Sequence, residues 1–480
     1  MHAASLTAQD AIADPAETAA VAGVAGMAQT PALAARCGSR MALAQALRAS
    51  RDDTLASFAA LARALPDLRV PLRAELNPPL WELGHIGWFQ EFWLGRFSAR
   101  GQGAAADPQA PRTAPMRHNA DALYDSSQVP HDRRWSLALP DANATRDDLA
   151  RQLEQTLALL LDNDALASAA ASEPAPAGAP ESAGAPATGG APESAGPPES
   201  AAAGDDALYF FRLVLLHEDM HHEAALYSAR ALGIELDDAR WQPEPLPSPP
   251  PALRLTAGTW PLGGAPGPGF AFDNELQGHA LAVPAGEIDA QVLRWAEYLP
   301  FVEAAGHADP RFWTDAGQRW LATPSADWPH DAPRYLRRAT GPAGTGWQQW
   351  RGGQWHPLDL RQAASHLTWH EAQAWCRWAG RRLPSEAEWE RAAVSHAGQP
   401  GQPGGFRWGD VWEWTASPFA PYPGFVPHPY RDYSAPWFDG RPVLRGASHL
   451  TQPRMRHPHY RNFFSASRND IGAGFRTCAL

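Results

Sequence analysis

Cysteine is scarce. Cys37, Cys376 and Cys478 are the only three in 480 residues, and no Cys-x-x-Cys pair occurs. That excludes a disulfide scaffold and a thiolate zinc site, and it suits a reducing cytoplasm. Basic charge is also in deficit, with 40 Lys and Arg against 52 Asp and Glu and a formal net charge of -12. A nucleic-acid partner is not expected, because gripping phosphates leans on basic side chains. No apolar run is long enough to cross a bilayer, so no membrane partner is expected either. The Ala-rich start carries Asp10, Asp14 and Glu17 and lacks a basic stretch before an apolar one, so it does not read as a signal peptide. The expected location is the cytoplasm. Oligomeric state stays open.

Tryptophan is abundant, at 21 residues. Most of them read as core and interface, where flat rings bury much area. A few could line an aromatic box for a cation.

The chain divides by texture. Residues 1–41 form an Ala-rich leader expected to be disordered. A helical region follows over 42–242, with four helices expected near 41–65, 78–97, 145–161 and 206–232. Four such helices suggest an antiparallel bundle. Within it, 168–204 repeats Ala-Pro-Glu-Ser-Ala-Gly and reads as a disordered insertion. A Pro-rich linker at 243–252 leads to an α+β region over 253–480, rich in Gly and Trp, with one clear helix at 369–379.

His217 and His221 lie four apart in an apolar helical pattern, which puts both imidazoles on one face and within reach of one metal ion. His85, in Trp81-Glu82-Leu83-Gly84-His85, sits in another apolar helix and is the candidate third ligand. Three neutral imidazoles with open positions suit Fe(II) or Zn(II). A rival reading takes His217-Glu218-Asp219-Met220-His221 as a zinc-protease motif with Glu218 as base. That motif needs a third ligand downstream, and Gly233 and the Pro-rich linker break the helix before Glu235 or Glu244.

These strings occur together with Phe270-Ala271-Phe272-Asp273-Asn274-Glu275, Gly380-Arg381-Arg382-Leu383-Pro384-Ser385-Glu386, Gly409-Asp410-Val411-Trp412-Glu413-Trp414, Tyr460-Arg461-Asn462-Phe463 and Gly474-Phe475-Arg476. In that order they resemble the EgtB-like family of ergothioneine-pathway sulfoxide synthases. The resemblance implies a multidomain α and α+β fold: a DinB-like four-helix bundle, then a C-type-lectin-related domain like that of the formylglycine-generating enzyme. It implies an oxygen-dependent Fe(II) enzyme with His85, His217 and His221 as metal ligands, acting on hercynine, the trimethylated histidine. Asn462 would contact that betaine, with Arg461, Phe463 and Trp412 as further substrate-binding candidates and Tyr422 or Tyr430 as proton donor, Tyr422 being preferred. Formylglycine generation works through cysteines near the C-terminus, and only Cys478 lies there.

Two positions depart from the mycobacterial-type synthases. Met220 stands where Gln is frequent, and Phe464 where an Asp helps hold γ-glutamyl-cysteine. A less polar pocket argues against that charged thiol donor. The sequence resembles more closely the branch of selenoneine synthases, which use a selenosugar. Donors such as cysteine or γ-glutamyl-cysteine, an ovothiol-type reaction on histidine, and a binding-only lectin-like module are the alternatives.

Overall fold

The computed structural model describes residues 30–162, 206–265, 267, 269–323, 328, 330–339, 346–397 and 405–480. Its N-terminal half holds six helices among the described residues: α1 (Pro31–Cys37), α2 (Arg40–Ala64), α3 (Pro79–Gln90), α4 (Ala120–Tyr124), α5 (Ala142–Leu161) and α6 (Tyr209–Ala231). Local chemistry sets their ends. The Ser39 hydroxyl accepts from the Ala42 N–H to start α2, and the Asp141 carboxylate accepts from the Ala144 N–H at 2.8 Å to start α5. α3 opens with Pro79 in its first turn and continues as a π-helical turn over Glu91–Gly95. The four long helices pack together around Leu43, Leu47, Phe89, Leu160, Phe211 and Leu215, all buried.

The disordered leader expected over 1–41 is corrected at its C-terminal end, where α1 is an ordered helix. Seven residues are too few to hold a helix alone, so tertiary contacts must fix it. Ala32 and Ala35 are buried, and Arg36 places both guanidinium nitrogens on Glu275, at 2.6 and 2.9 Å. That partner is 239 residues away in sequence, beyond the reach of local composition. Residues 1–29 and the insertion expected at 168–204 lie outside the described residues. The segment 243–252 is pinned to the domain that follows: Leu246 is buried and its N–H donates to Arg361, while the Pro247 carbonyl accepts from Gln291 and Arg294.

The C-terminal half is built from short pieces. In chain order they begin with β1 (Leu253–Leu255), β2 (Gly258–Leu262), β3 (His279–Val283), β4 (Gly286–Ile288), α7 (Trp295–Glu303) and α8 (Asp315–Leu321). Next come β5 (Leu336–Ala339), β6 (Gly346–Arg351), β7 (Gln354–Pro357), α9 (Trp369–Ala379), β8 (Arg381–Arg382) and α10 (Glu386–Ser395). The chain ends with β9 (Trp412–Pro418), β10 (Pro442–Gly446), β11 (Asn462–Phe463), β12 (Ala473–Gly474) and β13 (Cys478–Ala479). One sheet has the order β1-β4-β13-β8 and a second β11-β10-β9-β12, while β2-β3 is a hairpin and β5-β6-β7 a meander. The clear helix of the sequence reading is α9, closed by a Thr368–Glu371 capping box and by Gly380 at φ 64. α7, α8 and α10 add to it.

Buried charge holds this half together. Glu413 pairs with Arg476 at 2.5 Å, and Glu386 takes Arg461 at 2.7 Å and Arg445 at 3.0 Å. The chain contains no lysine, so arginine forks make these pairs. Removing one partner of a buried pair costs on the order of 3–5 kcal/mol.

The same chemistry fixes the halves to each other. Arg454 reaches Asp219 on α6 at 2.8 and 2.9 Å and Asp53 on α2 at 2.9 Å. Glu223 on α6 accepts from Trp412 Nε1 at 2.9 Å, Ser448 Oγ at 2.7 Å and Thr451 Oγ1 at 2.8 Å. α6 is thus held at a defined depth and rotation against the C-terminal half.

Candidate metal centre

α6 carries His217 and His221 one turn apart, and α3 crosses it with His85. The ligand-capable atoms of the three rings lie within 4.8 Å of one another. His221 Nε2 is 3.2 Å from His217 Nε2. Outward contacts set these orientations. His85 Nδ1 lies 2.8 Å from the Tyr124 carbonyl, and His221 Nδ1 lies 2.5 Å from Glu82 Oε2. Both contacts are natural for an Nδ1–H donor, which leaves Nε2 with its lone pair turned inward. Gly84 makes the first contact possible, because a Cβ there would stand 2.3 Å from the Tyr124 ring. Phe89 stacks on His217 at 3.5 Å and 5°, and Trp81 on His85 at 4.8 Å and 9°.

The electrostatics agree with neutral rings at His85 and His217. Burial pushes His85 down to about 3, helped by the neighbouring His221. Burial also holds His217 well below the usual imidazole range, with His221 and His85 adding to it. Burial alone would raise the Glu82 carboxyl, but its pairing with the His221 ring outweighs it and brings it to about 2. Two protonated rings would not approach at 3.2 Å, whereas neutral nitrogen donors facing one point fit a borderline divalent cation. The residues present fit a three-histidine metal site.

Glu218 cannot play the protease base. Its carboxylate is buried and committed to an ion pair with Arg51 at 2.7 Å. His222 likewise turns away, to Ser57.

The remaining candidates fall into two groups. Met220 and Tyr430 lie beside the metal centre. The Tyr460 hydroxyl donates to Met220 Sδ at 3.4 Å, which brings the Tyr460-Arg461-Asn462 strand against α6. The Tyr430 ring is 4.9 Å from Phe89 and 6.1 Å from His217. Asn462 and Phe463 follow Tyr460 and are half-buried, with Phe463 stacked on Phe419 at 4.1 Å. Phe464 is also half-buried, under the Arg468 guanidinium at 5.1 Å.

The second group is scaffold. Tyr422 donates its hydroxyl to Glu386 at 3.1 Å and lies under Arg461 at 4.0 Å, in a small cluster with Trp260 and Val283. Its hydroxyl is engaged with Glu386, and no contact among the described residues joins it to the three histidines. Arg461 is spent on Glu386 and on the carbonyls of Asn274 and Ala420, and Trp412 on Glu223. Both are buried with their polar atoms engaged inside the protein. Cys478 is buried in β13 without a cysteine partner, its thiol pushed up to about 12 chiefly by burial.

Sequence reasoning quoted Glu82 within a motif but gave it no role. Its position three before His85 puts it on that ligand's helix face, which was the available signal. The carbonyl of Tyr124 had no sequence signal at all.

Comparison with known proteins adds to this geometry. Residues 239–403 and 407–479 match the family described as sulfatase-modifying factor enzyme 1-like domain, so the matched stretch takes in the Pro-rich segment at 243–252. The chain is 28% identical over 457 residues to a hercynine oxygenase of Mycolicibacterium smegmatis, across 84% of this chain and 90% of the relative. A hercynine oxygenase of Mycobacterium tuberculosis is 28% identical over 452 residues, with the same coverage of 84% and 90%. A formylglycine-generating enzyme of Streptomyces coelicolor is 29% identical over 258 residues, across 41% of this chain and 78% of that protein.

Proposed function

We infer that the chain is an EgtB-like, hercynine-modifying oxidative enzyme, and we propose that it uses Fe(II) and dioxygen to join a selenosugar to the imidazole ring of hercynine. The observation that carries the metal reading is the convergence of His85, His217 and His221, with two of the Nδ1 atoms held from behind. The relatives' name supports hercynine and an oxidative reaction. When bound, Fe(II) would supply dioxygen activation and a coordination site for the chalcogen.

The chain's own residues then have definite tasks. Three neutral imidazoles bring no negative charge, so the site favours an anionic selenolate or thiolate. Aromatic faces suit a quaternary ammonium, which has no N–H to donate, and Phe463 is the candidate face. The Asn462 amide would orient the betaine. Tyr430 is the candidate proton donor because its ring adjoins Phe89 and His217. Met220 and Phe464 in place of an amide and a carboxylate favour a neutral sugar over a charged amino-acid thiol.

One observation favours a second reading, in which cysteine or γ-glutamyl-cysteine is the donor: the mycobacterial hercynine oxygenases match along nearly their whole length. Hercynine-dependent oxygen consumption by the Fe(II)-loaded protein tests the shared core of both readings. Uptake should require hercynine and a chalcogen donor together and should vanish in His85→Ala, His217→Ala and His221→Ala. Uptake that persists without any of the three histidines contradicts it.

A further inference from the structure

A cavity of about 770 Å³ opens between the β5–β7 meander, the end of α7 and the last turn of α6. None of its lining residues belongs to the metal centre. Ala231, its lining residue on α6, lies ten residues past His221, about 15 Å along the helix axis. The volume is in the range of small-molecule sites.

Its walls pair indole faces with guanidinium groups. Trp350 and Trp355 face each other across β6 and β7, with rings 5.3 Å apart, and Arg338 pairs across the meander with Trp347. The Arg337 guanidinium lies 4.3 Å over Trp355 and donates to Gln348 rather than to an acid. Among the described residues Arg338 has no carboxylate within ion-pair distance. Among the described lining residues Glu303 and Asp331 are the only acids, and Glu303 already accepts from Trp347 Nε1 at 3.0 Å.

Tyr335 completes the wall. It holds a left-handed φ of 67°, which an aromatic residue adopts only when its surroundings impose it. Its carbonyl accepts from the Trp350 N–H at 2.8 Å, and His366, itself at φ 60°, packs edge-on behind its ring at 4.9 Å. Ala305, a third residue at positive φ (58°), also lines the cavity. The Tyr335 hydroxyl is buried without a hydrogen-bond partner, and the Arg230 and Arg334 guanidinium carbons lie 5.3 and 5.0 Å from its ring. A buried hydroxyl without a partner is costly unless something supplies one. Strained backbone, two facing indoles and the Arg337 guanidinium border the same cavity.

The geometry points to a second small-molecule site here, for an anionic ring compound: Trp350 and Trp355 cover the ring, and Arg337, on their face of the meander, takes the carboxylate or phosphate. The class excludes neutral sugars and cations, and it does not depend on the reaction at the metal centre.

Calorimetric binding to the full-length protein tests it. The probes are benzoate, AMP and glucose 6-phosphate, each against its neutral counterpart, benzamide, adenosine or glucose. At least one anion should bind tenfold or more tightly than its counterpart. Carboxylate against phosphate separates the two sources of charge, and aromatic against sugar separates the two kinds of ring. Arg337→Ala and Trp355→Ala should each weaken that anion fivefold or more, with metal affinity and hercynine turnover kept within twofold. Hercynine should not compete. The proposal is overturned if no anion binds with a Kd below millimolar, if anion and neutral form bind alike, or if neither substitution weakens binding. Displacement by hercynine would also overturn it, by making the cavity part of the reaction site.

Discussion

Glu82→Gln isolates the group behind one metal ligand without touching the ligand. Glu82 has both carboxylate oxygens in use: Oε2 lies 2.5 Å from His221 Nδ1, and Oε1 accepts from Asn77 Nδ2 at 2.5 Å. Both neighbours donate, so a Gln, with one oxygen and one NH2, can satisfy only one of them. Either His221 turns or Asn77 lets go, and in both cases the negative charge that makes His221 a better donor is gone. Loss of such an outer carboxylate lowers metal affinity by roughly 10–100-fold, about 1.4–2.8 kcal/mol. The assay is anaerobic Fe(II) titration of the apo protein against a chromophoric chelator, with Co(II) absorption as a spectroscopic check on the ligand set. Glu218→Gln is the internal control. Its carboxylate faces Arg51, so it should lower unfolding stability by about 3 kcal/mol while leaving metal affinity alone. Affinity within twofold of the parent for Glu82→Gln would refute the reasoning, and so would an equal loss of affinity in both variants.

Other outcomes follow from individual contacts. Tyr430→Phe should slow turnover or alter the product with Fe(II) still bound, whereas Tyr422→Phe should lower stability by about 1.5–3 kcal/mol through its lost bond to Glu386 and leave the product unchanged, as product analysis beside thermal unfolding will show. Gly84→Ala drives a methyl into the Tyr124 ring and should cost about 1–3 kcal/mol in denaturant unfolding, with weaker Fe(II) binding through His85. Hercynine should bind better than histidine by about 2 kcal/mol, and Asn462→Ala should weaken hercynine without lowering iron content, measured by calorimetry and metal analysis. Burial lowers His428 and His449 to about 4. The unfolded chain therefore binds more protons between pH 6.5 and 4, and the stability these rings contribute at neutral pH is lost as pH falls through that window. Urea unfolding at pH 7 and pH 5 checks it, and His449→Gln should flatten the slope.

Apolar periodicity made the helical half legible: α2, α5 and α6 each fall within about three residues of the expected limits, while α3 ends at Gln90, seven residues short, and the π-helical turn carries the chain on to Gly95. The same spacing put His217 and His221 on one face, and that face proves to meet His85. What stayed hidden depended on distant partners. α1 is held by Arg36 on Glu275, and nothing near Arg36 announces it. Trp412 and Arg461 sit in motifs that invite a functional role, yet the structure uses them to satisfy the buried carboxylates Glu223 and Glu386. Trp412 and Trp414 alternate with Glu413 in β9, a pattern that ordinarily leaves one face of a strand exposed. All three are buried, because Arg476 neutralises the glutamate from within. Tyr422 and Tyr430 are eight residues apart in one Pro-rich loop, and only the path of that loop decides which of them reaches the histidines. α10 could have been read from Ser385 and Glu388, whose capping box was visible in the sequence.

The most direct measurement is mass spectrometry of the product from Fe(II)-loaded protein given hercynine, dioxygen and equal concentrations of a selenosugar, cysteine and γ-glutamyl-cysteine. The expected product is hercynine carrying a carbon–selenium bond on its ring, absent without oxygen and absent in His85→Ala. A sulfur adduct alone would replace the selenosugar with a thiol donor while keeping the enzyme class. Hercynine recovered unchanged with every donor, from protein shown to hold Fe(II) at His85, His217 and His221, would contradict the proposed function outright.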